Sequence, residues 1–264
     1  MGSNISTNTS SFNANEETLL RINITNNSNI ILPTLVCTVK SYDIINTFQY
    51  DKYDKLWFKE KWIEENHNFM KKNITLEFGH ALHYVLYNEN KNQKQFEGYT
   101  YDLADIVMKS IGFNKPYDCN LRSHSEKYVH IINNKVIEGI PDKVYTNVKN
   151  LNTCVVREDK HRNTKSYKNG DIQLVSNIIL AYENNYKMGE DPLKTKIYGV
   201  KFLSDDVYIY QVNITKDYLI DIINNRNLST DINVYKLFIG SLSNPQQRPN
   251  IFHYLTSLRN IVNG

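Results

Sequence analysis

Apolar residues spaced three and four apart alternate along the chain with short runs of strand-like apolar residues. Helical spacing covers 50–70, 74–87, 99–111, 171–185, 217–225 and 250–262. Strand-like runs cover 128–132, 136–148, 152–158, 196–203 and 207–212, with a further short apolar run at 35–39. Residues 133–135 have turn chemistry typical of a hairpin, and residues 234–239 fit either type. This pattern predicts an α/β (α+β) protein with a mixed central sheet flanked by helices.

The first residues of the chain differ in composition from the rest. Residues 1–30 contain eight Asn, five Ser and four Thr. Because this segment has few apolar residues, burying them cannot offset the loss of backbone conformational entropy on ordering. We therefore expect a flexible leader over 1–30. We expect a helical extension packed on the core over 31–95, the core itself over 96–215, and a C-terminal helical extension of the same domain over 216–264.

Charge and cysteine content narrow the class of protein. The chain has 31 Lys and Arg against 28 Asp and Glu, a net charge of +3, which excludes a strongly acidic tail or basic coat but not a local basic groove. No apolar run approaches the ~18–20 residues of a membrane span, and the start does not resemble a secretory signal. Cys37, Cys119 and Cys154 are widely spaced, which fits a reducing intracellular compartment, cytoplasm or nucleus.

Acidic residues lie on two neighbouring predicted strands. Asp142 lies within 136–148, and Glu158, Asp159 and Lys160 end the next strand. Because side chains alternate along a strand, Glu158 and Lys160 share one face and Asp159 takes the other. If the strands pair, Asp142 and Glu158, with the backbone carbonyl of Asp159, form an oxygen site suited to Mg²⁺ or Mn²⁺. Lys160 can there hold or deprotonate the attacking water and stabilise charge on a scissile phosphate.

This arrangement resembles the PD-(D/E)xK nuclease superfamily, which has the restriction-endonuclease-like fold. Pro141-Asp142 matches the PD half, and Glu158-Asp159-Lys160 matches the (D/E)xK half. The resemblance covers roughly 97–212 and implies a core of order αβββαβ with an upstream acidic residue and a polar residue in the helix after the motif. Glu97 and Gln173 occupy these two places, and Glu97 has two rivals, Asp102 and Asp105.

Basic residues surround the same motif. They can form a positive rim that binds the phosphate backbone of a nucleic acid, and we expect DNA more than RNA. The alternative is that they lie in a solvated loop. The candidates are Arg157, His161, Arg162, Lys165 and Lys168.

The sequence therefore predicts a Mg-dependent nuclease, a hydrolase of phosphodiester bonds in DNA or RNA. Two alternatives stay open. One is an inactive nuclease-like module that binds nucleic acid or a host protein, as effector-type proteins do. The other is an interaction protein that uses a helix carrying Trp57 and Trp62 as its contact face. The sequence contains no phosphate-binding Gly-rich loop, nucleophile elbow, dinucleotide fingerprint or zinc-hydrolase motif. It does not fix the oligomeric state, so a homodimer stays open.

Overall fold

The computed structural model describes residues 14–26, 74–89, 96–113, 121–132, 135–164, 167–191, 194 and 196–263. These residues form a seven-stranded mixed sheet with helices on both faces, and a separate two-stranded hairpin. The α+β class predicted from the hydrophobic pattern is confirmed. The helices are α1 (Ala14–Leu19), α2 (Ile74–Glu89), α3 (Glu97–Ser110), α4 (Asp171–Lys187), α5 (Lys216–Ile223) and α6 (Arg248–Asn263). The strands are β1 (Ile22–Asn26), β2 (Leu121–His124), β3 (Tyr128–Ile132), β4 (Lys135–Gly139), β5 (Lys143–Asn147), β6 (Thr153–Lys160), β7 (Tyr198–Leu203), β8 (Asp206–Asn213) and β9 (Ile232–Ser241).

The order of strands across the sheet is β1-β9-β8-β7-β6-β5-β2. β6 runs parallel to β7 and antiparallel to β5. A parallel pair needs a crossover connection, and α4 supplies it between β6 and β7. This arrangement puts the end of β6 beside the beginning of α4, where the sequence predicts the site.

The sheet separates two hydrophobic cores. One core contains side chains of α2, α3 and α6, and the other contains side chains of α4 and α5 together with the β3–β4 hairpin. Successive residues of β6 enter opposite cores: Val155 joins the first and Val156 the second. The alternation continues to the end of the strand, so the charged residues that follow are also divided between two faces.

The segment predicted as one strand over 136–148 is two strands. β4 pairs with β3 in the hairpin, whereas β5 pairs with β6 in the main sheet. Pro141 lies between them, and proline has no N–H to contribute to a ladder. Asp142 therefore follows this break and stands immediately before β5.

Two domain expectations differ from the structure. Part of 1–30 is ordered as α1 and β1, and β1 pairs with β9 at the edge of the sheet. Leu20 and Ile22 are buried in the second core, which composition averaged over thirty residues does not reveal. The segment 216–264 is not wholly helical, because β9 pairs with β8 and both cores continue through it. Of the extension expected over 31–95, α2 packs in the first core; the rest, including 35–39, Trp57 and Trp62, lies outside the described residues.

Candidate functional site

The pairing of β5 with β6 brings the two predicted carboxylates together. Lys143 stands opposite Arg157, so the same register carries Asp142 to a position opposite Glu158. Oδ2 of Asp142 accepts a hydrogen bond of 2.7 Å from the backbone N–H of Asp159. In an antiparallel ladder the N–H and C=O of one residue point to the same neighbour, so the Asp159 carbonyl also faces the side of Asp142.

Glu158 and Lys160 form a buried ion pair on the face that α4 covers. Nζ of Lys160 lies 2.7 Å from Oε1 of Glu158, and the two side chains are 8% and 0% exposed. Burial and the charge of Asp142 raise the pKa of Glu158 well above its ordinary value. Burial acts to lower the pKa of Lys160, but the carboxylates of Glu158 and Asp142 outweigh it and raise that pKa.

The upstream acid meets this pair from α3. Glu97 begins the helix, and its Oε2 lies 3.6 Å from Nζ of Lys160. Its side chain is 47% exposed, so the pair has an edge that solvent can reach. A cavity of about 490 Å³ opens beside it, lined by Phe96, Glu97, Gly98, Tyr99 and Asp102.

The rivals of Glu97 lie elsewhere on α3. Asp102 is exposed, and Asp105 pairs with Lys143 and Arg157 on the opposite face of the sheet. Of the three acids, Glu97 is therefore the one whose carboxylate the structure brings to Lys160.

Asp159 and Arg157 occupy the α3 face of β6. Nε and Nη2 of Arg157 donate to Oδ2 of Asp159 at 3.1 and 2.8 Å. Nη1 donates to Asp105 at 2.6 Å and to the hydroxyl of Tyr145 at 3.1 Å. Burial raises the pKa of Asp159 to about 7, although Arg157 acts in the opposite direction. The side chain of Asp159 thus points away from Glu158, as strand alternation requires.

The beginning of α4 forms the other wall of the pair. Gly170, with φ of +82°, precedes the helix, and a Cβ there would lie 3.1 Å from Cγ of Lys160. Nδ2 of Asn177 donates weakly to Oε2 of Glu158 at 3.5 Å. The sequence-based reasoning missed Asn177. Gln173 is buried one helical turn earlier on the same helix face, and this spacing of four is the signal that could have identified Asn177.

The predicted basic rim is only partly a surface. Arg157 and His161 are buried, so their assignment as nucleic-acid contacts is wrong: both residues belong to the packed interior. Arg162 is 42% exposed, and its guanidinium pairs with Asp205 at 2.6 Å and with Asp206 at 3.2 Å. Lys168 is 43% exposed and pairs with Glu17 of α1. Lys165 lies outside the described residues.

A second charged cluster lies next to the pair on the α4 face. Asp171, the first residue of α4, contacts Nζ of Lys201 and, at 2.6 Å, Nζ of Lys236. It also accepts a hydrogen bond of 2.7 Å from the hydroxyl of Tyr210. Lys201 is the β7 register partner of Glu158. Burial lowers the pKa of Lys201 to about 8, against the attraction of Asp171.

The oxygen donors at the end of β6 are of the kind that a hard divalent cation prefers. Two carboxylates, Asp142 and Glu158, and the backbone carbonyl of Asp159 are all oxygen ligands, which Mg²⁺ and Mn²⁺ prefer. Within the described part of the chain, no three His, Cys, Asp or Glu side chains form a group that could hold a metal ion. An ion here would therefore use two carboxylates and complete its shell with the carbonyl, water and substrate oxygens, as Mg²⁺ commonly does.

Comparison with models of known protein families and with curated proteins finds no match for this sequence. No helix among the described residues is long and apolar enough to cross a membrane. What the protein does is therefore inferred from the site itself.

Proposed function

We propose that the protein is a metal-dependent nuclease that hydrolyses phosphodiester bonds of DNA or RNA at the end of β6. The observation that carries this proposal is the contact of Glu158 with the amine of Lys160 at 2.7 Å, with Asp142 opposite Glu158 in the register of β5 and β6. Acidic residues that can hold a metal ion and an amine that can stabilise negative charge on phosphate are groups suited to hydrolysis of a phosphodiester bond. Glu97, half exposed and 3.6 Å from Lys160, gives the site an approach from solvent.

The order of elements also supports the proposal. α3, β2, β5, β6, α4 and β7 follow one another as αβββαβ; the first of these strands is β2 and not the predicted run 128–132, which lies in the β3–β4 hairpin inserted after β2. This is the order that the resemblance to PD-(D/E)xK nucleases implies. Glu97 then stands at the start of the first helix and Gln173 in the first turn of the second.

Four residues of the candidate site have distinct roles in the proposed hydrolysis. Asp142 and Glu158, with the Asp159 carbonyl, would hold Mg²⁺ or Mn²⁺, which supplies Lewis-acid polarisation of a phosphoryl oxygen and lowers the pKa of water. Lys160 holds the attacking water and stabilises negative charge that develops on the phosphate. The water oxygen bonds to phosphorus, the bond from phosphorus to one ester oxygen breaks, and the proton that the water releases is balanced by one taken up by the leaving oxygen.

A cleavage assay tests the proposal directly. Supercoiled plasmid and end-labelled RNA are incubated with the full chain over a titration of Mg²⁺ and Mn²⁺, with a chelator as the blank. Glu158→Gln removes the charge while keeping size and an acceptor for Asn177, and Lys160→Ala removes the amine. We expect each to lower the cleavage rate at least about 100-fold, the lower range of such catalytic contributions. Circular dichroism checks that both variants remain folded.

Asp217→Asn is the control, because Asp217 is an exposed acid in the first turn of α5, a helix that contributes no residue to the candidate site. It should cleave at the wild-type rate. Cleavage by Glu158→Gln at the wild-type rate would contradict the proposal. Metal-independent binding of nucleic acid without any cleavage would favour the alternative function, an inactive binding module.

A further inference from the structure

One row of side chains crosses the sheet from the candidate site to its far side. The register of the strands pairs Glu158 with Lys201, Lys201 with Tyr208, and Tyr208 with Phe238. Register partners project from the same face of a sheet. Because neighbouring strands lie about 4.8 Å apart, the Cα atom of Tyr208 lies about 10 Å, and that of Phe238 about 14 Å, from the Cα atom of Glu158. The row therefore connects the two carboxylates with a pair of aromatic rings.

The aromatic end of the row is accessible. Phe238 is 47% exposed, although it lies in the interior of a ten-residue strand. Its ring centroid lies 5.2 Å from that of Tyr208, with the two planes tilted by 49°. Tyr208 is itself partly exposed, so the two rings form one continuous aromatic surface. A single exposed apolar residue needs no explanation, but two rings in contact on a solvated face can serve to bind a flat ligand.

Cations accompany these rings. Nζ of Lys236 lies 4.7 Å from the centroid of the Tyr208 ring, and Nζ of Lys201 lies 5.1 Å from it. Asp171 holds both amines; Lys201 is completely buried, so Lys236, whose side chain is 19% exposed, is the cation of this cluster that a phosphate can approach. Aromatic faces next to basic groups are the combination with which proteins bind single-stranded nucleic acid: bases stack on the rings, and phosphates are attracted to the cations.

We infer that Tyr208 and Phe238 form a stacking platform for an unpaired base of a single-stranded nucleic acid whose backbone reaches the candidate site at its exposed Glu97 edge. This inference rests on the proposed nuclease function, because it names the form of substrate that the same site takes. A duplex keeps its bases stacked on one another, so only an unpaired base can lie on the rings. The platform thus selects single strands, whether DNA or RNA.

Binding measurements on the full chain test the platform. Fluorescent oligothymidylate, oligouridylate and a DNA duplex of the same length are titrated in the presence of a chelator, and binding is followed by anisotropy. We expect Phe238→Ala to weaken single-strand binding at least about fivefold, which is the low end of what one stacked base contributes. Phe238→Trp should restore it. Tyr87→Ala is the control, because Tyr87 is an aromatic residue of similar exposure, 46%, on α2.

Abasic substitution identifies stacking as the cause. Moving one abasic position along the oligothymidylate should reveal a place where wild-type binding falls by a similar factor. In Phe238→Ala the abasic position should have no further effect, since residues and bases in one contact are not additive. Equal losses in both proteins would overturn the platform.

The outcomes separate the two proposals. Cleavage by the wild type together with unchanged binding and cleavage by Phe238→Ala would overturn the platform and leave the nuclease function standing. Absence of cleavage together with the Phe238 effect would support the platform and contradict the nuclease function. Equal affinity for single strands and duplex, or no affinity for any of the three probes, would overturn the platform.

Discussion

The two faces of β6 carry the same kinds of residues and use them in opposite ways. On the α3 face, Arg157 donates to Asp159, Asp105 and Tyr145 and is completely buried. On the α4 face, Lys160 has Glu158 at 2.7 Å and a second carboxylate, half-exposed Glu97, at 3.6 Å. The first pair is enclosed by the protein, whereas the second borders on solvent through Glu97.

The difference shows how a charged strand end is divided between an enclosed structural pair and the pair proposed to be catalytic. Strand alternation alone gives two acid–base pairs, Arg157 with Asp159 and Glu158 with Lys160. The helix that packs on each face determines the surroundings of the acid–base pair on that face. α3 contributes Asp105, which occupies the free end of the Arg157 guanidinium. On the other face, the residue before α4 is Gly170, whose lack of a side chain leaves room for the methylene groups of Lys160.

The largest expected effect on stability comes from breaking the enclosed pair. Arg157→Met removes the cation and leaves Asp159 as an unpaired carboxylate that is 2% exposed. Removing one partner of a buried pair typically costs about 3–5 kcal/mol of unfolding free energy. Urea denaturation followed by circular dichroism measures this loss.

A double variant is the control for that measurement. Arg157→Met combined with Asp159→Leu removes both charges, and apolar replacements of buried pairs are often neutral or stabilising, so most of the stability should return. Lys160→Ala should cost less than Arg157→Met, because Arg157 donates to three side chains, whereas Lys160 has one close carboxylate, Glu158, and a half-exposed one, Glu97, at 3.6 Å. If Lys160→Ala were as destabilising as Arg157→Met, the contrast between the faces would fail.

A smaller effect should link the α4 face to the proposed cleavage activity through Gly170. Gly170→Ala must hold a φ of +82°, a left-handed conformation that costs an L-residue about 1–2 kcal/mol. The added Cβ would also press on Cγ and Cε of Lys160, at 3.1 and 3.2 Å. We therefore expect both a loss of stability and a lower cleavage rate, measured by urea denaturation and by the plasmid assay.

Gly189 provides a matched control at the other end of α4. It has a φ of +94°, and a Cβ there would meet nothing within 4 Å. Gly189→Ala should lose a similar amount of stability and keep the wild-type cleavage rate. Equal cleavage by the two variants would mean that the Gly170 contact does not position Lys160.

Local patterns were enough to predict much of this arrangement. Period-two alternation placed Glu158 and Lys160 on one face and Asp159 on the other, and helical spacing located α3 and α4 to within two residues. These inferences depend only on neighbours in sequence, which is why they transfer to the fold.

What the sequence did not predict depends on partners far away along the chain. Whether Arg157 faces solvent is decided by Asp105, which lies 52 positions earlier. Composition also did not predict β1, because β1 is held by its pairing with β9, in which Ile22 stands beside the distant Ile232. The row from Lys201 to Tyr208 and Phe238 requires the register of three strands, which no local pattern supplies.

The smallest effect concerns Asp105, whose carboxylate completes the enclosed face. Burial acts to raise its pKa, but Arg157 and Lys143 outweigh it and hold that pKa below the ordinary value. A lowered folded-state pKa stabilises the fold above the unfolded value of about 3.9 and ceases to do so as the pH falls through the folded value. Since Asp105 is 38% exposed, solvent screening reduces its contribution, and Asp105→Asn should cost about 1 kcal/mol at pH 7.

The loss from Asp105→Asn should shrink below about pH 4 and disappear once the wild-type carboxyl is protonated. Urea denaturation of both proteins at pH 7, 5, 4 and 3 measures this difference, and the plasmid assay at pH 7 should give equal cleavage rates. A stability difference that stayed constant with pH would assign the loss to packing and not to charge. A large loss of cleavage would mean that the enclosed face takes part in the chemistry, because Asp105 contacts the Arg157 side of β6 and not Lys160.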